Sequence, residues 1–425
     1  MLDTTVEYPW PKRRPEWSER VLRQLESGKL SVYDRSGVVA EFEDAWSEAH
    51  GTPYSLVTNS GTAALHSAFY GIGIGPGDEV LCPSYTFFAT SASLFQLGAL
   101  PVLVDARPDG SFDPEAAAAL VTDRTKAVVL THMWGLPCDM DAIVAFTRHH
   151  GLSLVEDCSH AHGATYAGRP VGTFGSAAAW SLQTQKLIAA GEGGVMTTSS
   201  REIYDRAQLL GHFNKRALQE MDPQGPLYQY AVTGLGLKYR AHPLGIAFAV
   251  GQIAELPAWI RNKQGFAEKI ATLFARIDGI TPLTLSTPER VSAHYALLFE
   301  VDPGRLPGGR DWLVAACNAE GIGDVDIPKA TSPLHTLHLF QKPLSPVTTY
   351  DRAGIRSTFP VADRLAARTF KISVPCAPAG FEEEDARYLE GVRAVTEKIA
   401  DHLTHHDGPG ADARLAAATP GRGAR

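Results

Sequence analysis

Lys186 stands between an apolar run and a glycine-rich segment, in Ser181-Leu182-Gln183-Thr184-Gln185-Lys186-Leu187-Ile188-Ala189-Ala190-Gly191-Glu192-Gly193-Gly194. Desolvation at such a place lowers a lysine's pKa and makes its amine a nucleophile suited to a Schiff base with a carbonyl. The competing reading is a surface lysine on a loop. Asp157 closes the apolar run LSLVED (152–157), which sets its carboxylate at the rim of a sheet. A carboxylate there needs a cationic or hydrogen-bonding partner, and a protonated pyridine nitrogen is one. Asp157, His160 and His162 could instead be read as zinc ligands, but no further cluster completes such a site and no metal is expected. Thr58-Asn59-Ser60-Gly61-Thr62-Ala63-Ala64-Leu65 runs from a strand through glycine into a helix. Free N–H groups and the helix dipole suit a phosphate at that turn, with the Thr62 hydroxyl as a further donor. An ordinary capped turn would have the same residues. In Pro83-Ser84-Tyr85-Thr86-Phe87-Phe88-Ala89-Thr90, Tyr85 ends a strand and could stack on a heteroaromatic ring or fill the core.

Taken together, a phosphate cradle, a stacking aromatic, an acid for a pyridinium and a strand-end lysine are what pyridoxal 5'-phosphate needs. The acid keeps the ring nitrogen protonated, so the ring can draw electrons from a substrate's α-carbon. The lysine holds the cofactor and moves the α-proton. Gly71-Ile72-Gly73-Ile74-Gly75-Pro76-Gly77 is a different matter: it follows a helix and contains proline, so the context of a dinucleotide fingerprint fails.

The ordered motifs NSGTAAL, PSYTFFAT and EDCSHAHGA, a serine five residues before the lysine, and Lys-x5-Glu-Gly-Gly resemble the DegT/DnrJ/EryC1/StrS aminotransferases over about residues 30–400. The resemblance implies a fold-type-I α/β transferase: a mostly parallel, seven-stranded-type sheet in a large domain, and a smaller α+β C-terminal domain. It implies that Lys186 forms the Schiff base and that Asp157 pairs with the pyridinium. Gly61, Thr62 and Ser181 would bind the phosphate, Tyr85 would stack on the ring and His160 would lie beside the ring hydroxyl. It further implies a homodimer with shared active sites, glutamate or glutamine as amino donor, and pyridoxamine phosphate as the intermediate form of the cofactor. The acceptor would be a ketone on a nucleotide-linked sugar or a cyclitol, in secondary-metabolite or polysaccharide biosynthesis. A relative that dehydrates sugars has His at the lysine position, so Lys186 argues against that activity. The family's Gly-x-Asn-x-Arg is here Gly236-Leu237-Lys238-Tyr239-Arg240. Lys238 thus stands where an Asn reaches the partner's cofactor phosphate, and a lysine can meet a phosphate as a point charge. Arg240 would bind the donor's carboxylate or enter a structural ion pair. His335, in Ser332-Pro333-Leu334-His335, lies in a segment similar to one near the family's active site, though a lone loop histidine is more often exposed.

The elements that must position these residues follow from periodicity. Trp17, Val21 and Leu25 recur at fours between Pro15 and Gly28, and Val39, Phe42, Trp46 and Ala49 mark a second helix ending at Gly51. Strands are expected at 55–59, 79–83, 101–106, 126–132, 152–157, 177–182 and 193–198, with helices at 62–70 and after the cap Asp113-Pro114. Near-continuous apolar strands separated by helices predict a mostly parallel sheet covered on both faces. The division expected is an N-terminal arm and helix (1–30), a large cofactor domain (31–245), a small domain (246–405) and a disordered tail (406–425). The small domain should close on a helix with the stripe Leu389, Val392, Val395, Ile399 and Leu403.

Composition agrees with an enzyme of this size. The 425 residues are 44% hydrophobic and 20% charged, enough for a large core and too apolar for a wholly disordered chain. Net charge is −8 with no long Lys/Arg run, which argues against a nucleic-acid surface. The five scattered cysteines fit reduced cytoplasmic thiols. No secretory leader is read at the N-terminus, and the apolar stretch His242–Ile260 carries His, Gln and Glu, so a buried helix is expected there and no membrane partner. Two other functions remain open from sequence: an enzyme of the same fold acting on a non-sugar ketone, and a non-catalytic sensor that binds the cofactor.

Overall fold

The computed structural model describes residues 7–405 apart from 9, 13, 343, 345–353 and 377. The tail expected from residue 406 lies outside the described residues. Seven strands build the central sheet: β1 (Tyr54–Thr58), β2 (Glu79–Pro83), β3 (Leu100–Val104), β4 (Thr125–Thr131), β5 (Ser153–Asp157), β6 (Ala177–Ser181) and β7 (Gly194–Thr198). Their order is β1-β7-β6-β5-β4-β2-β3, and β7 runs antiparallel to both neighbours while the other pairings are parallel. The strands fall within two residues of their expected ends because they are continuous apolar runs buried on both faces. β4, β5 and β6 lie side by side in register, with Thr131 opposite Asp157 and Asp157 opposite Ala179, so the ends that carry chemistry share one rim.

Helices cover both faces. Pro15–Glu26 starts on Pro15, and Gly37–His50 ends at Gly51 with φ 67°, a left-handed cap that glycine adopts without strain. The stretch 242–260 is two helices, where sequence suggested one. Pro243–Ile253 and Leu256–Phe274 meet at 66°, because Pro257 removes a donor and clashes with the preceding turn. Among the described residues no single helix is long and apolar enough to cross a membrane.

The first of these two helices packs with Trp17, Phe42, Trp46 and Trp180, in the same core as the large sheet. A second core begins at Ala267 and gathers the antiparallel strands Ile280–Pro282, Leu297–Val301 and Thr369–Ile372. The C-terminal helix Glu382–His405 closes it, with Val392, Val395 and Ile399 buried and Leu389 and Leu403 packed alongside. We therefore propose that the two domains divide inside Leu256–Phe274 and not at residue 245.

One buried ion pair ties three elements of the large domain. Glu43 is wholly buried; its carboxylate accepts from Arg216 Nη1 and Nη2 at 2.9 and 2.8 Å and from Val57 N at 2.9 Å. Removing Glu43 leaves the buried Arg216 with Glu220 alone, at 3.4 Å, an incomplete compensation in a low-dielectric interior that costs up to about 3–5 kcal/mol. Glu43→Ala should lower the unfolding free energy by that amount in urea titrations read by circular dichroism, whereas the exposed Glu41→Ala should change it little.

Candidate active site

The loop 183–190 that carries Lys186 leaves the end of β6 and is partly closed on itself, Lys186 N donating to Gln183 O and Ala190 N to Leu182 O, while side chains from three elements satisfy further backbone groups. Trp10 Nε1 donates to Lys186 O at 2.8 Å, and His162 Nδ1 accepts from Ile188 N at 3.1 Å. Gln252 pairs with both polar groups of Ala189, accepting from its N–H at 2.9 Å and donating to its carbonyl at 2.8 Å. His162 is itself packed edge-on against Trp46 and Trp180. Thus fixed, the Lys186 amine lies 4.5 Å from the centroid of the Tyr295 ring. Burial pushes its pKa down to about 8, partly offset by the nearby Asp157 carboxylate.

Asp157 is 5% exposed. One carboxylate oxygen accepts from Thr90 Oγ1 at 2.8 Å and the other from Ser159 N at 3.1 Å. Thr90 belongs to a triangle of hydroxyls with Thr86 and Thr131, 3.0–3.1 Å apart. His160 lies parallel to Tyr295, ring centroids 4.0 Å apart at 7°, with Trp134 behind it at 5.8 Å. Burial and the facing Lys186 and His162 hold the His160 pKa well below its usual value, so the ring is neutral, and its buried Nδ1 has no hydrogen-bond partner among the described residues. Gly135, at φ 97°, makes this assembly possible. A Cβ there would come within 2.8 Å of His294 N and 3.0 Å of both Tyr295 N and His160 O.

The turn before the helix Gly61–Gly71 forms a cradle. Ser60 caps the helix by accepting from Ala63 N at 3.1 Å, leaving the first-turn N–H groups of Gly61 and Thr62 without intrahelical acceptors. A Cβ on Gly61 would stand 2.8 Å from Ser181 Cβ, and one on Gly194 would stand 2.3 Å from Ser60 O. Glycines at both positions bring the helix end against the end of β6, so Ser181 and the free N–H groups converge. Donors without acceptors, beside a buried amine, a carboxylate and an orphaned imidazole nitrogen, fit a phosphorylated heteroaromatic aldehyde.

Tyr85 is placed elsewhere. Its side chain is fully buried, the ring stands 3.4 Å from the position a Cβ on Gly110 would take, and burial pushes its pKa up to about 12. No face of the ring is open to a stacked ligand, which corrects the expected role. The open aromatic rings of that segment are Phe87 and Phe88, 40% and 41% exposed with centroids 4.5 Å apart. His335, a candidate substrate residue by resemblance, has its Nε2 3.2 Å from Asp363 and its ring stacked on Phe359.

Lys238 and Arg240 lie on the outer side of the cradle. Asn59 N donates to Tyr239 O at 2.7 Å, and Tyr239 OH meets His66 Nδ1 at 2.7 Å. The two cations line a cavity of about 220 Å³ with Tyr33 and Lys215; Arg240 lies 4.7 Å and Lys215 5.2 Å from the Tyr33 centroid. Asp157, His160 and His162 do not form a ligand cluster. The one such cluster among the described residues is His132, Glu156 and Cys158. There Glu156 accepts from the N–H groups of Gly172, Phe174 and Gly175, each at 2.7 Å, and from His132 at 3.2 Å. That carboxylate is occupied with backbone donors. Thr90, Trp134 and Tyr295 carried no signal strong enough to single them out, although Thr90 closes the PSYTFFAT run.

The chain matches the model of the DegT/DnrJ/EryC1/StrS aminotransferase family over residues 11–393 and belongs to that family of aminotransferases. It is 34% identical over 409 residues to a Streptomyces kanamyceticus protein provisionally named L-glutamine:3-amino-2,3-dideoxy-scyllo-inosose aminotransferase, covering 93% of this chain and 94% of that one. It is 32% identical to the spore coat polysaccharide biosynthesis protein SpsC of Bacillus subtilis (strain 168), covering 91% and 96%. Among solved structures, an aminotransferase from Psychrobacter cryohalolentis superimposes with TM-score 0.79 at 28% identity, covering 92% and 99%. 3-Amino-5-hydroxybenzoic acid synthase superimposes with TM-score 0.78 at 27% identity, covering 95% and 100%.

A pKa near 8 leaves Lys186 uncharged far below the pH at which a solvated lysine loses its proton. In cofactor-free protein, acetylation of Lys186 by acetic anhydride, followed by peptide mass spectrometry, should rise with a midpoint near pH 8. A lysine in a short unstructured peptide, acetylated in parallel, should show its midpoint about two units higher.

Proposed function

We propose that this aminotransferase uses pyridoxal 5'-phosphate to move an amino group from glutamine or glutamate to a ketone on a nucleotide-linked sugar or a cyclitol. The observation that carries the reading is the convergence of a buried amine, a fastened carboxylate and a helix-end cradle on one rim of the sheet. The name of the Streptomyces kanamyceticus relative supports glutamine and a cyclitol ketone.

When bound, the cofactor supplies an electron sink for the α-carbon of the amino donor. Asp157, oriented by Thr90 Oγ1 and Ser159 N, would hold a proton on the ring nitrogen. Gly61 and Thr62 N–H groups, the Thr62 hydroxyl and Ser181 hold the phosphate. His160, neutral, exchanges a hydrogen bond with the ring hydroxyl, and its stack on Tyr295 fixes its plane. Phe87 or Phe88 takes the stacking role first given to Tyr85. Lys186 would hold the cofactor through its amine, and whenever that amine is not bonded to it the same group could, near neutral pH, both take a proton and give it back.

Lys215, Lys238 and Arg240 around Tyr33 form a cationic cleft suited to a phosphate or carboxylate. In a homodimer with shared sites this cleft would face the neighbouring subunit, whose surface would also cover the exposed Tyr230, Val232, Leu235 and Leu237. Cytoplasmic placement belongs to the same reading; all five cysteines are buried and free. The structural likeness to 3-amino-5-hydroxybenzoic acid synthase favours one further reading, a non-sugar cyclic ketone as acceptor.

Purified enzyme given glutamine and a panel of keto-cyclitols, nucleotide-linked keto-sugars and non-sugar cyclic ketones should aminate one class, detected by mass spectrometry. Lys186→Ala should abolish turnover and the visible absorbance of the bound cofactor. Wild-type-like turnover in that variant rejects the mechanism, and amination of none of the panel rejects the acceptor classes.

A further inference from the structure

Tyr295 belongs to no motif and reaches the site from the far part of the chain, just before the strand Leu297–Val301 of the second core. Its ring nevertheless lies against the Lys186 amine, 4.5 Å from centroid to Nζ. The same ring lies parallel to His160 at 4.0 Å and faces Trp134 at 6.3 Å and 24°. Its backbone is pinned by the close approach at Gly135, so the ring has little freedom to leave the amine. Burial pushes the Tyr295 hydroxyl up to about 12, so the group beside Lys186 is a neutral ring and not a phenolate. A neutral amine gains little from an aromatic face, whereas an ammonium is drawn to the ring quadrupole, the more so when both are desolvated.

We propose that Tyr295 is a positioning residue for Lys186: its ring holds the lysine's ammonium whenever that amine is not bonded to the cofactor. The inference rests on Lys186 being the working amine. During each half-reaction the freed lysine would otherwise be a buried charge with rotamers to explore. The ring gives it one station, within reach of the proton it must carry, and steadies His160 at the same time. The titratable groups that bear on the amine from elsewhere are Asp157, which favours the charged form, and the neutral His160 and His162.

The test keeps shape constant while changing the ring's electrons. Tyr295→Phe, and the same position carrying phenylalanine with one, two and three ring fluorines, weaken the quadrupole stepwise without changing the packing. In cofactor-free protein, lysines are reductively methylated with carbon-13 formaldehyde and the Lys186 resonance is titrated by NMR, with Lys186→Arg assigning it. Tyr295→Phe should keep the wild-type midpoint near pH 8, and the fluorinated series should move it downward, by about half to one unit at three fluorines. A flat series, or a midpoint that rises, overturns the proposal and leaves Tyr295 as core packing. Tyr295→Leu supplies a second reading. Loss of the ring should lower the midpoint although the smaller side chain admits water, which alone would raise it. In the loaded enzyme the donor half-reaction should lose rate in the fluorinated series with KM for glutamine unchanged. Because the titration needs no turnover, it separates failure of this inference from failure of the functional reading, which Lys186→Ala decides.

Discussion

A primary amine kept inside the protein without a direct carboxylate partner is the constraint around which the other features are arranged. Desolvation makes Lys186 reactive, yet the same desolvation would expel the side chain if its backbone could move. The loop therefore cannot be an ordinary surface loop, and its buried amide groups need partners that a strand would otherwise give. Trp10, His162 and Gln252 serve as those partners, one from the N-terminal segment, one from the turn after β5 and one from the helix Pro243–Ile253. Trp10 and His162 pack against the aromatic core and Gln252 lies on a helix that helps build it, so the position of the amine is set by tertiary packing well beyond the loop itself.

Close approach is the second requirement, and it is met by omission of side chains. Gly61 and Gly194 let a helix end and a strand end meet, which produces free donors at the point where β6 finishes. Gly135 lets a turn from the first half of the chain touch His160 and Tyr295 together. The two junctions place the cradle and the aromatic slab on either side of the lysine loop. A methyl group at any of these three positions would need backbone to shift, so the geometry is sharply defined.

Much of this was legible in the residues. Continuous apolar runs with turn residues between them gave the seven strands, and local signals at strand ends gave Lys186, Asp157 and the Gly61–Thr62 turn. What was not legible depends on contacts between distant segments. Tyr85 and Phe87 are two apart and read alike in a strand pattern; Tyr85 is buried because Gly110 and Leu365 close over it, which no local pattern records. Thr90 closes the PSYTFFAT run and carries no signal of its own; only the fold sets it against Asp157. Tyr295 and Trp134 have no periodic signature, since their role is to stack on a histidine contributed by a third segment. The 242–260 stretch was misread as one helix because uniform hydrophobicity outweighed the proline at 257, whose effect on the preceding turn is steric and local.

Net charge illustrates the same separation of scales. A formal −8 spread over a large surface is screened within about 8–10 Å at physiological salt, so it does not set the potential inside a cleft. Local arrangement does. Arg216 is neutralised by Glu43 within the core and contributes almost no outward field, whereas Lys215 and Arg240 converge on the exposed Tyr33 and Lys238 lines the same cavity. That cluster adjoins the phosphate cradle through Asn59, whose N–H and side chain meet the carbonyls of Tyr239 and Lys238. An acidic protein can thus present a strongly anion-attracting face beside its reactive amine. The segment that carries Lys238 and Arg240 is tied to the cradle through Asn59.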